Sequence, residues 1–153
     1  MKKILVGYDD TESAQRALRR AIDYARAFDA TLVVASVAPL LVNASRGAGA
    51  IDPVSDAAEH ERQLDVARSI VADAVPTEYV PAVGEPVDTL VTLADEQEAD
   101  LLVVGTREPS LVARLFGQSV SAGVAVHSRR DTLIVHGAHP HEHGEHHHEE
   151  GKS

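Results

Sequence analysis

Asp100-Leu101-Leu102-Val103-Val104-Gly105 is the stretch that decides the fold. Four consecutive apolar residues between an aspartate and a glycine are typical of a strand that is covered on both faces, as in the middle of a parallel sheet. Further strand candidates lie at residues 3–8, 31–37, 77–83 and 132–135, and helical segments at residues 13–28, 55–74, 87–97 and 119–126 separate them. Strands that alternate with helices predict an α/β fold with one parallel sheet.

The length of the chain limits its domain organisation. At 153 residues it is long enough for one full core and too short for two. We therefore predict one domain over residues 1–136 and a separate tail over residues 137–153. Residues 39–53 lack periodicity and contain glycine and proline, which predicts a loop. This loop has the length of a lid, a binding loop or a disordered segment, and the pattern does not choose among them.

Composition excludes several classes of function. The chain has no cysteine, so disulfides, thiolate metal sites and cysteine nucleophiles are absent. Its formal net charge of -10 disfavours nucleic acid as a partner, because phosphate backbones are held by clustered lysine and arginine. No segment approaches the roughly 20 apolar residues that cross a bilayer. We expect a soluble, cytoplasmic protein with no membrane partner.

Two segments are the predicted ligand site. In open parallel sheets, ligands bind beyond the carboxyl ends of the strands, where the winding direction reverses. This rule points to residues 7–11 and to the loop that begins at Gly105 and leads to a helix near Ser119. The N–H groups and the positive dipole end of a helix start suit a phosphate. The alternative is structural: Gly105 relieves a tight turn, and Ser119 caps the helix.

The chain resembles the universal stress protein family. The resemblance is carried by residues 3–9 (KILVGYD), 84–86 (GEP), 99–107 (ADLLVVGTR) and 119–121 (SVS), and it covers residues 2–135. It implies a Rossmann-like, adenine nucleotide alpha hydrolase-like fold: a single-domain, doubly wound sheet of five parallel strands in the order 3-2-1-4-5. This order would place the first and fourth strands side by side, at the reversal that the pattern already indicates.

The resemblance also implies a set of ligand contacts. The nucleotide-binding branch of the family wraps ATP in a loop of the form Gly-x2-Gly-x9-Gly-Ser/Thr. Asp9 would lie near the ribose or a nucleotide-bound Mg²⁺ or Mn²⁺, although aspartate after a strand is also a common turn residue. Val37 would lie against the base, and the start of the last helix would hold the phosphates. The full set of predicted contacts is Gly7, Tyr8, Asp9, Val37, Gly105, Arg107, Gln118, Ser119, Val120 and Ser121.

The ATP loop of the family is only half matched. Gly105 and Ser119 match its first and last positions, whereas Glu108 and Gln118 replace its two inner glycines. A carboxylate at position 108 repels a triphosphate, and the bulk of Gln118 keeps the backbone away from it. AMP or a cyclic nucleotide would avoid part of this conflict, so the identity of the adenine nucleotide stays open.

The tail is rich in histidine and glutamate. Its imidazoles could chelate Zn²⁺, Ni²⁺ or Cu²⁺. The favoured interpretation is a disordered, solvated extension that binds metals weakly, because nothing in it is apolar enough to pack. The six tail histidines are His139, His141, His143, His146, His147 and His148.

These features predict a stress-response protein that binds ATP or AMP and acts through ligand-dependent dimer or partner contacts. Subunits of the family pair through the terminal strand, which implies a homodimer through Thr132-Leu133-Ile134-Val135. The alternative is a nucleotide-free dimeric interaction module of the same family, with Glu108 and Gln118 closing the site. The sequence shows no paired carboxylates, reactive thiol or catalytic triad. We therefore predict no catalytic residues and at most slow ATP hydrolysis.

Overall fold

The computed structural model describes residues 1–38, 53–106 and 120–137, with residues 53–56 described by their backbone alone. All five predicted strands and four predicted helices are present, with boundaries that move by up to three residues. In chain order the elements are β1 (Lys3–Gly7), α1 (Glu12–Phe28), β2 (Thr31–Ala38), α2 (Pro53–Val71), β3 (Thr77–Val83), α3 (Pro86–Glu96), β4 (Leu101–Gly105), α4 (Val120–His127) and β5 (Asp131–Val135).

The five strands form one parallel sheet in the order β3-β2-β1-β4-β5. This confirms the predicted α/β class and strand order. Strands β1, β2 and β3 are added in one direction, and β4 and β5 in the other, so the winding reverses between β1 and β4. The register there pairs Ile4 with Leu101 and Val6 with Val103. Both strands therefore end at the same edge of the sheet.

The helices cover both faces of the sheet. Helices α1 and α2 pack on one face, where Ile4 and Val6 of β1 meet Leu18 of α1. Helices α3 and α4 cover the other face, where Leu5 of β1 meets Leu90 of α3. Because successive strand residues point to opposite faces, β1 needs apolar residues at every inner position. None of the described helices is both long and apolar enough to cross a bilayer.

Local backbone features set the helix ends. Helix α2 ends at Val71, three residues before the predicted end, because Ala72 adopts a left-handed conformation with φ 46°. It begins at Pro53, which the sequence assigned to the preceding loop. The side chain of Glu85 caps α3 by accepting a hydrogen bond from the Asp88 N–H at 2.8 Å. Proline at the first position of α3 suits a helix start, because that N–H has no helical partner.

Candidate functional site

The ends of β1 and β4 meet the first turn of α1 at the carboxyl edge of the sheet. Gly105, the last residue of β4, lies so close to α1 that a Cβ on it would stand 2.3 Å from the carbonyl oxygen of Ser13. Thr106 N–H donates to the carbonyl of Val135 at 3.0 Å and so ties this end of β4 to β5. The segments after the first and fourth strands, which the sequence singled out, are therefore adjacent.

Asp9 is an exposed residue that shapes the turn between β1 and α1. Its Oδ1 accepts hydrogen bonds from the hydroxyl of Thr11 at 2.6 Å and from the Thr11 N–H at 3.2 Å. The Thr11 hydroxyl in turn accepts from the Ala14 N–H at 3.3 Å and caps α1. The structural interpretation of Asp9 as a turn residue therefore holds. Because Asp9 is exposed at this edge, its position is compatible with the predicted contact with a ribose.

Asp10 has a role that the sequence analysis missed. It adopts a left-handed conformation with φ 60°, which few residues other than glycine, asparagine and aspartate tolerate. Its Oδ1 accepts from the Tyr8 hydroxyl at 3.0 Å and from Gln15 Nε2 at 3.4 Å. Its Oδ2 lies 3.7 Å from a guanidinium nitrogen of Arg62 on α2. These contacts hold the β1–α1 turn in place from two helices.

The side chain of Tyr8 is buried in the core beneath this turn. Burial raises the pKa of Tyr8 far above the ordinary value for tyrosine, and the neighbouring carboxylates of Asp10 and Asp9 raise it further. The phenol is therefore neutral and acts as a hydrogen-bond donor to Asp10. The backbone N–H of Tyr8 donates to the carbonyl of Ala35 at 2.8 Å. Tyr8 was predicted as a ligand contact, and in the structure its hydroxyl donates a hydrogen bond to Asp10 within the protein.

A buried polar contact joins β2 to α2 on the face of the sheet that α1 and α2 cover. Ser36 is fully buried, and its hydroxyl lies 2.9 Å from Nδ1 of His60 and donates to Oε1 of Gln63 at 3.0 Å. A hydroxyl has one proton, so His60 must donate its Nδ1–H to Ser36. His60 thereby holds α2 against the sheet. The neighbouring Val37 is half-buried and packs on the opposite face, against the cluster beneath α3.

The start of α4 supplies the remaining described positions. Val120 is exposed and Ser121 is buried, both in the first turn of this helix. Helix α4 packs closely on α3, and Gly123 lies at the contact. A Cβ on Gly123 would stand 2.7 Å from the side chain of Val87. The other predicted site residues lie outside the described residues: Arg107, Gln118 and Ser119 with Glu108, and the tail residues His139, His141, His143, His146, His147 and His148.

Candidate metal ligands do not cluster in the part of the chain that the structure describes. Within residues 1–38, 53–106 and 120–137, no three or more histidine or carboxylate residues group together as a metal site. Asp9 would contribute a single carboxylate to a nucleotide-bound Mg²⁺, and that role stays a prediction.

A concave surface lies at the opposite edge of the sheet. This groove, of about 630 Å³, is formed where α2 leads into β3 and includes Arg68, Asp73 and Tyr79. The Arg68 guanidinium stacks on the Tyr79 ring, 4.7 Å from its centroid. The groove lies at the amino ends of the strands, whereas ligands of open parallel sheets bind at the carboxyl ends. We therefore assign the candidate site to the β1–β4 edge.

Comparisons with known proteins agree with this architecture. The family model described as the Universal stress protein family matches residues 1–136. Universal stress protein Rv1636 of Mycobacterium tuberculosis strain H37Rv is 39% identical over 146 residues, which cover 88% of this chain and 96% of that protein. A universal stress protein solved in complex with cAMP is 38% identical, with a TM-score of 0.65 over 88% of this chain and 96% of that chain.

A more distant structure shares the same fold. The universal stress protein of Archaeoglobus fulgidus in complex with dAMP is 25% identical, with a TM-score of 0.68 over 88% of this chain and 98% of that chain. The family match spans all five strands and the helices described between them. The chain therefore belongs to the universal stress protein family.

Proposed function

We propose that this chain is a cytoplasmic adenine-nucleotide-binding protein of the stress response, and that its ligand is a nucleotide with one phosphate, such as AMP or cAMP. The observation that carries the proposal is the 38% identical universal stress protein solved with cAMP, whose fold this chain shares. In this chain the ligand would lie at the carboxyl edge between β1 and β4, with the ribose near Asp9 and the base near Val37. The dAMP complex of a second relative supports the same ligand class.

The charge of this edge favours a ligand with few negative charges. Asp9, Asp10 and Glu12 lie within five residues of the end of β1, and Arg62 of α2 lies 3.7 Å from Asp10. The repulsion between a carboxylate and a phosphate grows with the charge of the ligand. A cyclic nucleotide carries one negative charge, whereas ATP carries about four. The edge should therefore bind cAMP or AMP more tightly than ATP, in line with the carboxylate that Glu108 adds to the sequence of the loop.

The proposal is tested at Asp9. Asp9→Asn keeps the size of the side chain but weakens its hydrogen bond to the 2′-hydroxyl, the one free ribose hydroxyl of cAMP. We expect a loss of cAMP affinity of about tenfold, the size of one hydrogen bond to a charged group. Glu12→Gln is the matched control, because it removes the same charge from an exposed side chain in the next turn. Calorimetric titration of the full chain measures the cAMP affinity of both variants. Equal affinity of the two variants would contradict the proposed ribose contact.

We also propose that the protein is a homodimer paired through β5. Leu133 and Ile134 of this edge strand stay half-buried, whereas residues 101–104 of the neighbouring β4 are buried throughout. Val126 of α4, the helix that precedes β5, is 76% exposed. An apolar edge strand favours pairing with a second copy of itself. The nucleotide-free dimeric module is the second candidate function, and it rests on this surface alone.

The dimer is tested by removing an outward N–H group. The Val135 carbonyl accepts from Thr106, so residues 131, 133 and 135 direct their backbone groups towards β4, and Thr132 and Ile134 direct theirs outwards. Thr132→Pro removes one outward donor, and proline is tolerated on an edge strand. We expect a monomer in light scattering, while Thr132→Val stays dimeric. A wild-type monomer, or a dimer that survives Thr132→Pro, would contradict pairing through β5.

A further inference from the structure

Arg16, in the second turn of α1, has a buried donor that no group in the described part of the chain satisfies. Its Nε is buried and has no hydrogen-bond partner among residues 1–38, 53–106 and 120–137. Arginine stays charged at every physiological pH, and buried N–H groups in proteins normally have an acceptor. The acceptor best suited to a guanidinium is an oxyanion, because two parallel N–H groups match two oxygens.

Arg16 lies at the same edge as the candidate site. A Cβ on Gly137, two residues beyond β5, would stand 2.9 Å from Nη2 of Arg16 and 3.3 Å from its Cζ. The guanidinium therefore rests against the backbone at the end of β5. Thr106, directly after Gly105, donates to Val135 at that same strand end. Arg16 thus projects from the side of α1 that contacts β4 and β5, next to where the loop after β4 departs.

Three other cations described in the structure already have polar partners. Arg62 of α2, a guanidinium near this edge, binds Glu59 and lies 3.7 Å from Asp10. Lys3 and Arg130 lie at the amino edge, where they bind Gln97 and Asp95. A phosphate near Asp9 and Asp10 needs a positive partner, and within the described residues Arg16 meets that need without breaking an ion pair.

We propose that Arg16 binds the phosphate of the nucleotide at the carboxyl edge, between α1 and the end of β5. The inference rests on the proposed function and adds to it the residue that selects a phosphorylated ligand over a nucleoside. Gly137 contributes by leaving room for the guanidinium. The same oxyanion chemistry could come from a glutamate of residues 138–153, and the experiment separates these two sources.

The test compares cAMP with adenosine, which lacks the phosphate, by calorimetric titration of the full chain. Arg16→Gln should weaken cAMP binding by about 10- to 100-fold, as expected for a lost charged hydrogen bond, and change adenosine binding by less than about twofold. Arg20→Gln, an exposed arginine on the same helix, is the control and should alter neither. Gly137→Ala keeps the charge but displaces the flexible guanidinium, and it should weaken cAMP selectively as well.

Each other outcome overturns the inference. Unchanged cAMP binding in Arg16→Gln, or an equal loss of cAMP and adenosine, would show that Arg16 does not contact the phosphate. The tail carboxylates would be the acceptor if the effect of Arg16→Gln disappears once Glu142, Glu145, Glu149 and Glu150 are replaced by glutamine. A wild-type chain that binds neither ligand would instead refute the proposed function itself. A chain that binds adenosine but not cAMP would refute both the role of Arg16 and a phosphate-bearing ligand, whereas a chain that binds cAMP equally well with and without Arg16→Gln would refute only the role of Arg16.

Discussion

Single residues decide how closely the elements meet at the candidate site. Gly105 was open to two interpretations from sequence, a tight turn or a phosphate loop. Its contact with Ser13 shows that the position needs a glycine for packing, whatever ligand binds beyond it. Gly7, at the end of β1, differs because a Cβ there would meet the side chain of Leu90 at 3.0 Å rather than a backbone atom.

This contrast predicts different costs for two alanine substitutions. Gly105→Ala forces β4 and α1 apart and should lower the free energy of unfolding by about 1–3 kcal/mol, the usual cost of overpacking. Gly7→Ala should cost less, because the end of the Leu90 side chain can move. Urea unfolding followed by circular dichroism measures both. An equal loss in the two variants would mean that the close approach to Ser13 is not a constraint.

The buried phenol of Tyr8 predicts a loss of stability at alkaline pH. Its pKa is raised in the folded state, so above about pH 10 an unfolded tyrosine ionises while Tyr8 cannot. The stabilisation is complete below pH 10 and is lost as the pH rises beyond it. Tyr8→Phe should reduce the fall in the free energy of unfolding between pH 8 and pH 11 by about 1 kcal/mol. Tyr24→Phe, at a half-buried tyrosine of α1, is the control, and an equal effect there would contradict the prediction.

Sequence predicted the site residues that follow strands and missed those that arrive from α2. Asp9 and Gly105 are local signals, because each directly follows or ends an apolar run. The contact of Arg62 with Asp10 joins residues 52 positions apart and depends on how α2 packs on the sheet. The pairing of Ser36 with His60 depends on the same packing. No periodicity in the chain encodes such contacts.

Among the elements, α1 links the fold to the site most directly. Its N-cap Thr11 accepts from the Ala14 N–H and donates to Asp9, so one hydroxyl starts the helix and orients the carboxylate. The strands were predictable because their apolar runs are covered on both faces. The end of α2 was not, because the left-handed conformation of Ala72 leaves no mark in the sequence.

Thr11→Ala should therefore affect both stability and binding. Loss of an N-cap costs about 1 kcal/mol of unfolding free energy, and the freed Asp9 should bind cAMP more weakly. Thr11→Ser keeps both hydrogen bonds and should restore both properties. Thermal unfolding and calorimetric titration of the same samples provide the two readouts. Restored stability without restored affinity would show that the Thr11–Asp9 bond does not matter for the ligand.

At the scale of the whole molecule, the alternation of strands and helices was enough to predict an α/β fold with a parallel sheet. The strand order was not contained in that pattern, because several orders satisfy the same right-handed crossovers. It came from the resemblance to a family, and the observed order β3-β2-β1-β4-β5 confirms it. This order brings β1 beside β4 and so creates the edge at which the proposed ligand binds.

We propose that the edge between β1 and β4 binds an adenine nucleotide with one phosphate. Calorimetric titration of the nucleotide-free full chain with cAMP, AMP and ATP tests it most directly. We expect one site per chain, with cAMP or AMP bound more tightly than ATP, because the carboxylates after β1 repel a triphosphate. Tighter binding of ATP would contradict the charge argument, and no binding of any of the three would leave the nucleotide-free dimeric module as the function.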